Sequence, residues 1–332
     1  MKEANKEPEP TSVERPTDEF ADPLSIEDAA DLAQRIIENI EHVIVGQHDV
    51  AEHILTTILA RGHLLLEDVP GVGKTMLARS LARSIDCSFK RVQFTPDLLP
   101  SDVTGVNVYN QKANEFEFQP GPIFGNVVLA DEINRAPPKT QSALLEAMEE
   151  EQVTIDGMTH DVPNPFTVIA TQNAVEQDRA YELPVAEIDR FMKKLSLGYP
   201  SPEDESEVLR RLVGEHPIRR LDPVASASDI RRARTTIANV TVRPPVRDYV
   251  TRLANYTRDR SRLGVSPRGS IALLRAAQAR AVLEGREYVV PDDVKSEAVT
   301  VLPHRIRSDT GAMGGDEGDA VVQNALDSVP VE

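Results

Sequence analysis

The sequence lacks several features, and each absence narrows the class of protein. Among its 332 residues there is no tryptophan, and aromatic residues make up only 4%. A single cysteine, Cys87, excludes an internal disulfide, which is the usage expected in a reducing compartment. No stretch approaches the roughly 18 consecutive apolar residues of a transmembrane helix, and the amino terminus is acidic and polar, unlike a signal peptide. We therefore expect a cytoplasmic protein without membrane insertion.

Positive charge is also scarce, and the net charge is −17. The acidic excess lies mostly at the two ends of the chain. Residues 1–31 hold ten acids and three bases, residues 309–332 hold six acids and no base, and the rest holds 38 acids and 34 bases. The totals therefore indicate no broad basic surface for duplex nucleic acid. Both ends lack apolar periodicity, and we predict that 1–31 and 309–332 are disordered acidic tails.

The pattern of apolar residues divides the remaining chain into two parts. Residues 32–198 alternate helical patterns with short apolar runs, namely GHLLLED, FKRVQF, NVVLADE, FTVIATQN and KKLSLGY. This alternation predicts an α/β fold with a mainly parallel sheet and helices on both faces. Residues 199–308 show only amphipathic helical patterns, with starts such as Ser266-Pro267 that are typical of capped helices. We predict a smaller all-helical domain there.

The stretch LLLEDVPGVGKT, residues 64–75, matches the phosphate-binding loop G-x-x-x-x-G-K-[ST] except at its first position. It follows a buried-strand pattern and precedes a helical face, which is the context of a working P-loop. Backbone N–H groups at the helix start would hold the β-phosphate of ATP. Lys74 would reach the β- and γ-phosphates, and Thr75 would ligate Mg²⁺. The candidate nucleotide-binding residues of this loop are Val69, Pro70, Gly71, Val72, Gly73, Lys74, Thr75 and Met76.

The unmatched position is Asp68, where the motif has glycine. The chain must turn tightly there, and aspartate is one of the few other residues that tolerate the left-handed backbone region. We predict that the loop functions and that the Asp68 carboxylate points away from the phosphates.

Two further apolar runs end in polar residues. NVVLADE ends in Asp131 and Glu132, the Walker B pattern, so that Asp131 would hold Mg²⁺ and Glu132 would deprotonate the attacking water. FTVIATQN ends in Asn173, whose amide would hold that water and sense the γ-phosphate. Among 28 arginines, Arg190 in VAEIDRFMKKL and Arg268 in GVSPRGSIALL are candidates for neutralising charge on the transferred phosphoryl group, although composition alone does not select them.

Taken together, PGVGKT, FTPDLLPSDVTG, GPIFGNVVLADEINRAPPKTQSALLEAMEE, IATQN and LPVAEIDRF resemble the MoxR family of AAA+ ATPases, over roughly residues 32–308. The resemblance implies an αβα nucleotide domain with an insert at residues 105–121, followed by a helical lid. Val45, Gly46 and Gln47 would lie near the adenine. Asn173 would be the first sensor, Arg190 a finger offered to the neighbouring subunit, and Arg268 the second sensor, in the lid. Asp68 departs from the family's usual glycine.

The resemblance also implies a ring of identical subunits, often a hexamer, and a chaperone-like action on a protein partner. That partner commonly carries a von Willebrand factor A domain, whose metal site the ATPase helps to mature. Two other functions are weighed against this one. A nucleic-acid motor is disfavoured by the nearly neutral body and by an insert with one lysine and two glutamates. A non-hydrolysing nucleotide switch is disfavoured because Lys74, Asp131, Glu132 and Arg190 are all present.

Overall fold

The computed structural model describes residues 21–173, 181, 183–213, 217–307 and 316–331. The α-helices within these residues are α1 (Ile26–Glu41), α2 (His48–Leu59), α3 (Lys74–Ser84), α4 (Pro100–Thr104), α5 (Pro138–Glu150), α6 (Val185–Ile188), α7 (Pro202–Leu212), α8 (Ala227–Ala238), α9 (Pro244–Asp259), α10 (Pro267–Leu283), α11 (Pro291–Val301) and α12 (Asp316–Ser328). The strands are β1 (Leu64–Asp68), β2 (Phe89–Gln93), β3 (Gly105–Asn110), β4 (Glu115–Pro120), β5 (Val127–Asp131), β6 (Gln152–Ile155), β7 (Met158–Asp161), β8 (Thr167–Asn173) and β9 (Lys193–Leu195). Within the described ranges, no helix is both long and apolar enough to span a bilayer.

Five strands form one parallel sheet in the order β2-β5-β8-β1-β9. They are the five apolar runs of the sequence, and the prediction of a parallel sheet is confirmed. Near-continuous runs of Val, Leu and Ile suit strands that are covered on both faces. Because all five strands run in the same direction, their carboxyl ends lie along one side of the sheet. We call this side the carboxyl edge and the opposite side the amino edge.

Helices cover both faces of the sheet. In β1, Leu64 and Leu66 pack in one hydrophobic cluster with α1, α2 and α3. Leu65, between them, packs in a second cluster with Leu144 and Leu145 of α5. Successive side chains of a strand point to opposite faces, and β1, β5 and β8 each contribute to both clusters. The α/β fold, an αβα sandwich followed by a helical domain, is therefore confirmed.

Two antiparallel hairpins extend the sandwich. The predicted insert, residues 105–121, forms the hairpin β3–β4. A second hairpin, β6–β7, was not foreseen in the sequence. The side-chain amide of Asn107 donates a 2.8 Å hydrogen bond to Asp156, and the rings of Phe118 and His160 stack with centroids 4.1 Å apart. These contacts hold the two hairpins against each other.

The described part of residues 199–307 is helical, as predicted, and comprises α7 to α11 with short 3₁₀ turns. Serine caps fix several helix starts. The Ser266 hydroxyl accepts a hydrogen bond from the Gly269 N–H at 3.1 Å, and Pro267 occupies the first turn of α10. The sequence signature of this helix start is therefore confirmed by its geometry.

The prediction of disordered tails is wrong in two places. Helix α1 begins at Ile26, capped by Ser25, so 26–31 are helical, while 1–20 lie outside the described residues. At the other end, α12 occupies most of the supposed tail, and its Val322 and Ala325 are buried. Two buried residues three apart lie on one helix face, and that face packs on the helical domain. The acidic composition concealed this short apolar pattern.

A buried charge cluster joins the sheet to the helical domain. Lys193, the first residue of β9, lies 2.5 Å from Glu297 of α11, and both side chains are fully buried. Arg280 of α10 pairs with Glu297 at 3.1 Å and with Glu52 of α2 at 2.5 Å. Burial by itself would raise the pKa of Glu297, but Lys193, His53 and Arg280 together lower it to about 2. The carboxylate is therefore charged at neutral pH and satisfies two buried cations.

Replacing Glu297 by glutamine should destabilise the protein by about 3–5 kcal/mol at neutral pH, because two buried cations lose their carboxylate. Denaturant unfolding measures the difference. The folded-state pKa of Glu297 lies below the ordinary value of 4.5. The stability that its charged carboxylate contributes is therefore complete above pH 4.5 and is lost as the pH falls toward about 2. The difference in the free energy of unfolding between wild type and Glu297→Gln should therefore become smaller in acid. Glu287→Gln, at an exposed position, is the control; equal stability of both variants would contradict the role of Glu297.

Candidate active site

The loop between β1 and α3 has the backbone expected of a phosphate-binding loop. Gly71 and Gly73 have φ angles of +89° and +100°. Side chains strongly disfavour these values, so both positions require glycine. Gly73 also caps α3, which begins at Lys74. The unpaired N–H groups of the first helical turn therefore adjoin the loop and favour an anion there.

Lys74 is held within the loop that precedes it. Its Nζ donates to the backbone oxygens of Asp68, at 2.8 Å, and of Val69, at 3.2 Å. Partial burial lowers the pKa of Lys74, and the negative charges of Asp68, Asp131 and Glu132 oppose that shift. The ammonium group is therefore close to the acidic residues predicted for the same site.

Asp68 does not have the left-handed backbone expected from the sequence. It is the last residue of β1 and is extended. Its Oδ1 accepts a hydrogen bond from the Val69 N–H at 2.9 Å. Its Oδ2 accepts bonds from the N–H groups of Leu197 (2.5 Å) and Gly198 (2.9 Å) and from the Ser196 hydroxyl (3.1 Å). The side chain therefore ties the start of the loop to the segment that follows β9.

Asp131 is the last residue of β5 and Glu132 follows it, at the carboxyl edge. The Asp131 carboxylate accepts a 2.6 Å hydrogen bond from the Thr171 hydroxyl and forms a 2.6 Å salt bridge with Arg91. Glu132 has a φ of +57°, which is unusual for a non-glycine residue, and its N–H donates to the Thr171 hydroxyl at 2.9 Å. Strained backbone of this kind concentrates at functional sites. Thr171 thus orients both acids.

The Glu132 carboxylate has two further partners. Gln93, the last residue of β2, donates to Oε2 at 2.7 Å, and Arg135 donates to the same oxygen at 3.0 Å. Asn173 ends β8, is 5% exposed and is in register with Asp68 on the neighbouring strand. The sheet therefore brings Glu132 and Asn173 to the same edge as the loop that carries Lys74.

The segment of Val45, Gly46 and Gln47 also lies near this edge. The Gln47 side chain donates a 3.0 Å hydrogen bond to the backbone oxygen of Leu197. Gly46 and Gln47 line a cavity of about 430 Å³, together with Ser196 after β9 and Thr300 of the helical domain. The cavity is thus formed by both domains, and Asp68 and Gln47 bind the same short segment.

Arg190 and Arg268 lie elsewhere. Both pair with Glu149 at the end of α5, Arg190 at 3.3 Å. They line a cavity of about 180 Å³ with Gly62 and His63, the two residues before β1. This is the amino edge of the sheet. A strand rises about 3.3 Å per residue, so five-residue β1 separates the arginines from the loop by roughly 15 Å. The sequence-predicted site residues therefore form two groups.

Comparisons with known proteins agree with this architecture. The model of the ATPase family associated with various cellular activities (AAA) matches residues 63–193, and that of the AAA lid domain matches residues 253–325. Chaperone MoxR1 of Mycobacterium tuberculosis is 41% identical over 304 residues, which cover 88% of this chain and 80% of MoxR1. This chain belongs to the MoxR family of AAA+ ATPases. Nucleotide binding and ATP hydrolysis are properties of that family.

Two more proteins are similar to this chain along nearly its whole length. Uncharacterized protein YeaC of Bacillus subtilis is 51% identical over 308 residues, covering 92% of this chain and 96% of YeaC. The solved structure of a candidate ATPase from Cytophaga hutchinsonii has a TM-score of 0.83 and 38% identity, covering 92% of this chain and 96% of that one. The lid match includes most of α12, in line with its packing on the helical domain.

Sequence reasoning missed four polar residues that contact the predicted ones: Arg91, Gln93 and Thr171 at the carboxyl edge, and Glu149 at the amino edge. The first three have a signal in hindsight. FKRVQF and FTVIATQN are parallel strands, and polar residues near their ends must lie at the carboxyl edge. Glu149 has no such signal in the sequence, because a single glutamate at the end of a glutamate-rich helix is indistinguishable from a solvated surface charge. Its role depends on elements that are distant in sequence.

Replacing Asp68 by glycine restores the P-loop motif but should harm this protein. The N–H groups of Leu197 and Gly198 lose a charged acceptor, and we expect a loss of about 2–4 kcal/mol of stability. ATP affinity should fall about tenfold or more, equal to about 1.4 kcal/mol or more, because the loop loses its attachment. Denaturant unfolding and fluorescent-nucleotide titration measure the two effects. The stability and the ATP affinity of Asp68→Asn should be intermediate between those of Asp68→Gly and wild type. Tighter ATP binding by the glycine variant would instead mean that Asp68 repels the phosphates.

Proposed function

We propose that this protein is a ring-forming ATP hydrolase that uses hydrolysis to remodel a protein partner. The observation that carries the proposal is the separation of the predicted catalytic residues. Lys74, Asp131, Glu132 and Asn173 belong to the carboxyl edge, whereas the two candidate arginines belong to the amino edge. One subunit thus has an incomplete site, and a head-to-tail neighbour would complete it.

In this proposal the P-loop holds the triphosphate. The backbone N–H groups of residues 71–76 bind phosphate oxygens, and Lys74 reaches the β- and γ-phosphates. Val45, Gly46 and Gln47 lie against the adenine, which fits the adjoining cavity. Thr75 and Asp131 would hold Mg²⁺, since a hydroxyl and a carboxylate are the hard oxygen donors this ion prefers. The ion would neutralise charge on the phosphate oxygens.

Hydrolysis depends on Glu132 as the general base. Its carboxylate takes a proton from the attacking water, and Asn173 holds that water beside the γ-phosphate. The hydrogen bonds from Gln93 and Arg135 to Oε2 support this role, because they orient the carboxylate while its Oε1 stays available for the proton. Gln93 would thus be a positioning residue.

Arg190 and Arg268 act on the ATP of the neighbouring subunit. Each neutralises charge that develops on the transferred phosphoryl group. Their distance from the P-loop of their own subunit supports an action in trans for both. The ring would consist of identical subunits, with a hexamer as the proposed number, by family likeness.

The substrate of the machine is proposed to be a protein that carries a von Willebrand factor A domain, whose metal site the ATPase helps to mature. This proposal comes from the family resemblance, and it includes a cytoplasmic location, which suits a chain with one cysteine. ATP-dependent co-purification with purified domains of that class, using a hydrolysis-deficient variant to prolong the complex, tests it. Stimulation of the ATPase by DNA instead would favour the nucleic-acid alternative.

Glu132→Gln should bind ATP but hydrolyse it at least about a hundredfold more slowly, since the amide does not accept the proton of water. Nucleotide titration and phosphate release measure the two properties. Glu146→Gln, an exposed position on α5, is the control and should behave as wild type. Turnover by Glu132→Gln near the wild-type rate would assign the base to another residue.

Arg190→Ala should keep ATP binding and lose turnover by roughly a thousandfold, the low end for arginine fingers. Mixed with Glu132→Gln, it should recover activity. Wherever an Arg190→Ala subunit holds ATP and a Glu132→Gln subunit supplies its arginines, one complete site forms. Equal amounts make about a quarter of the interfaces of this kind in a closed ring. No recovery at any ratio, with co-assembly shown by mass, would contradict the action in trans.

A further inference from the structure

One carboxylate is shared by the two arginines of the amino edge. Glu149 Oε2 lies 3.3 Å from Nη2 of Arg190, which precedes β9. Glu149 Oε1 accepts a hydrogen bond from Nη2 of Arg268 in α10. The carboxylate thus bridges a residue of the α/β domain and a residue of the lid. Without this shared carboxylate, the two like-charged guanidinium groups would repel each other.

The helix that carries Glu149 is anchored beside the sheet. Nε2 of His63 bonds the backbone oxygen of Met148 at 3.0 Å, and its Nδ1 accepts from the Val168 N–H at 3.0 Å. Burial lowers the pKa of His63 to about 4, so the ring is neutral and can serve as donor on one side and acceptor on the other. The end of α5 is therefore fixed relative to β1 and β8.

The two arginines are also fixed relative to each other. Asp189, next to Arg190, accepts a 2.9 Å hydrogen bond from Ser266, the cap of the helix that carries Arg268. Its other oxygen accepts a 2.8 Å bond from Arg305, whose side chain is 2% exposed. Asp189 thus links the segments that carry the two arginines, and Glu149 pairs with both of their side chains.

The arrangement leaves donors for a further anion. A guanidinium has five N–H groups, and each arginine binds Glu149 through Nη2. Nε of Arg190 is buried without a hydrogen-bond partner among the described residues. The side chains of Glu149, Arg190 and Arg268 are 37%, 29% and 45% exposed, so the group is accessible from outside the subunit. Five arginines and two acids line the cavity, and this surplus of positive charge attracts a phosphate.

We propose that Glu149 is a positioning residue that holds the guanidinium groups of Arg190 and Arg268 side by side. Both groups can then contact the phosphoryl group of ATP that is bound to the adjacent subunit. The proposal rests on the proposed action of these arginines in trans and adds a residue that touches neither ATP nor water. Glu149 acts only through the subunit that donates the arginines. Its loss should lower kcat and leave the KM for ATP within about twofold, because the P-loop is at the other edge.

The mixing experiment tests this role on each side of the interface separately. Glu149→Gln keeps the size of the side chain and removes its charge. Placed in the Glu132→Gln subunit, which donates arginines, it should reduce the recovered ATPase rate about tenfold or more. Placed in the Arg190→Ala subunit, which holds ATP, it should leave the recovered rate within about twofold. A residue that merely stabilised the fold would act on both sides.

Glu150→Gln is the matched control, because Glu150 is the next residue of α5 and is exposed. Glu150→Gln should leave the recovered ATPase rate unchanged, whether it is placed in the Glu132→Gln subunit or in the Arg190→Ala subunit. Equal losses from both placements of Glu149→Gln, or no loss on the donating side, would overturn the positioning role while the recovery itself upholds the action in trans. No recovery in the original mixture would overturn both. Thermal unfolding and the mass of the mixed rings establish that each variant folds and assembles.

Discussion

The parallel alignment of five strands is the constraint on which the candidate site depends. Gln93, Asp131, Asn173 and Asp68 are the final residues of β2, β5, β8 and β1, which are consecutive neighbours in the sheet. Their positions span about a third of the chain, yet the parallel pairing of the strands places them in a row. Polar groups at strand ends can bond to the loops that follow the strands, as the buried Asp68 carboxylate does with the N–H groups of Leu197 and Gly198. The P-loop extends this row, because it leaves the sheet from β1, at the same edge.

The short strand β9 links this row to the lid and to the arginines. Arg190 lies just before it, at the amino edge. Lys193, its first residue, is fully buried against Glu297 of the lid. The residues after it donate hydrogen bonds to Asp68, at the start of the P-loop. The three-residue strand β9 therefore connects the phosphate-binding loop, the lid and the arginines. Asp68, which replaces the first glycine of the P-loop motif, is part of that connection.

Two edges of one sheet have different roles in the proposed ring. The carboxyl edge would bind and hydrolyse ATP, whereas the amino edge would offer arginines to another subunit. Because these groups lie a strand length apart, hydrolysis would depend on assembly rather than on nucleotide binding alone. The lid contributes Arg268 to the amino edge and Thr300 to the cavity near Gln47. A movement of the lid would therefore affect both edges, which suits a machine that converts hydrolysis into motion of a partner.

Local patterns in the sequence were sufficient for the five strands of the parallel sheet, the lid helices and the P-loop, because apolar periodicity, serine caps and glycines act over a few residues. They were insufficient for α12, whose two buried residues stand among acids, and for the backbone of Asp68. The MoxR likeness directed attention to Arg190 and Arg268 among 28 arginines. Only the tertiary structure showed that both meet Glu149, and that the Asp68 carboxylate binds the segment after β9. Contacts of this kind join residues that are about 40 to 130 positions apart. The packing of the strands and helices decides which charged groups meet across such separations in sequence. Local sequence patterns do not predict these pairings.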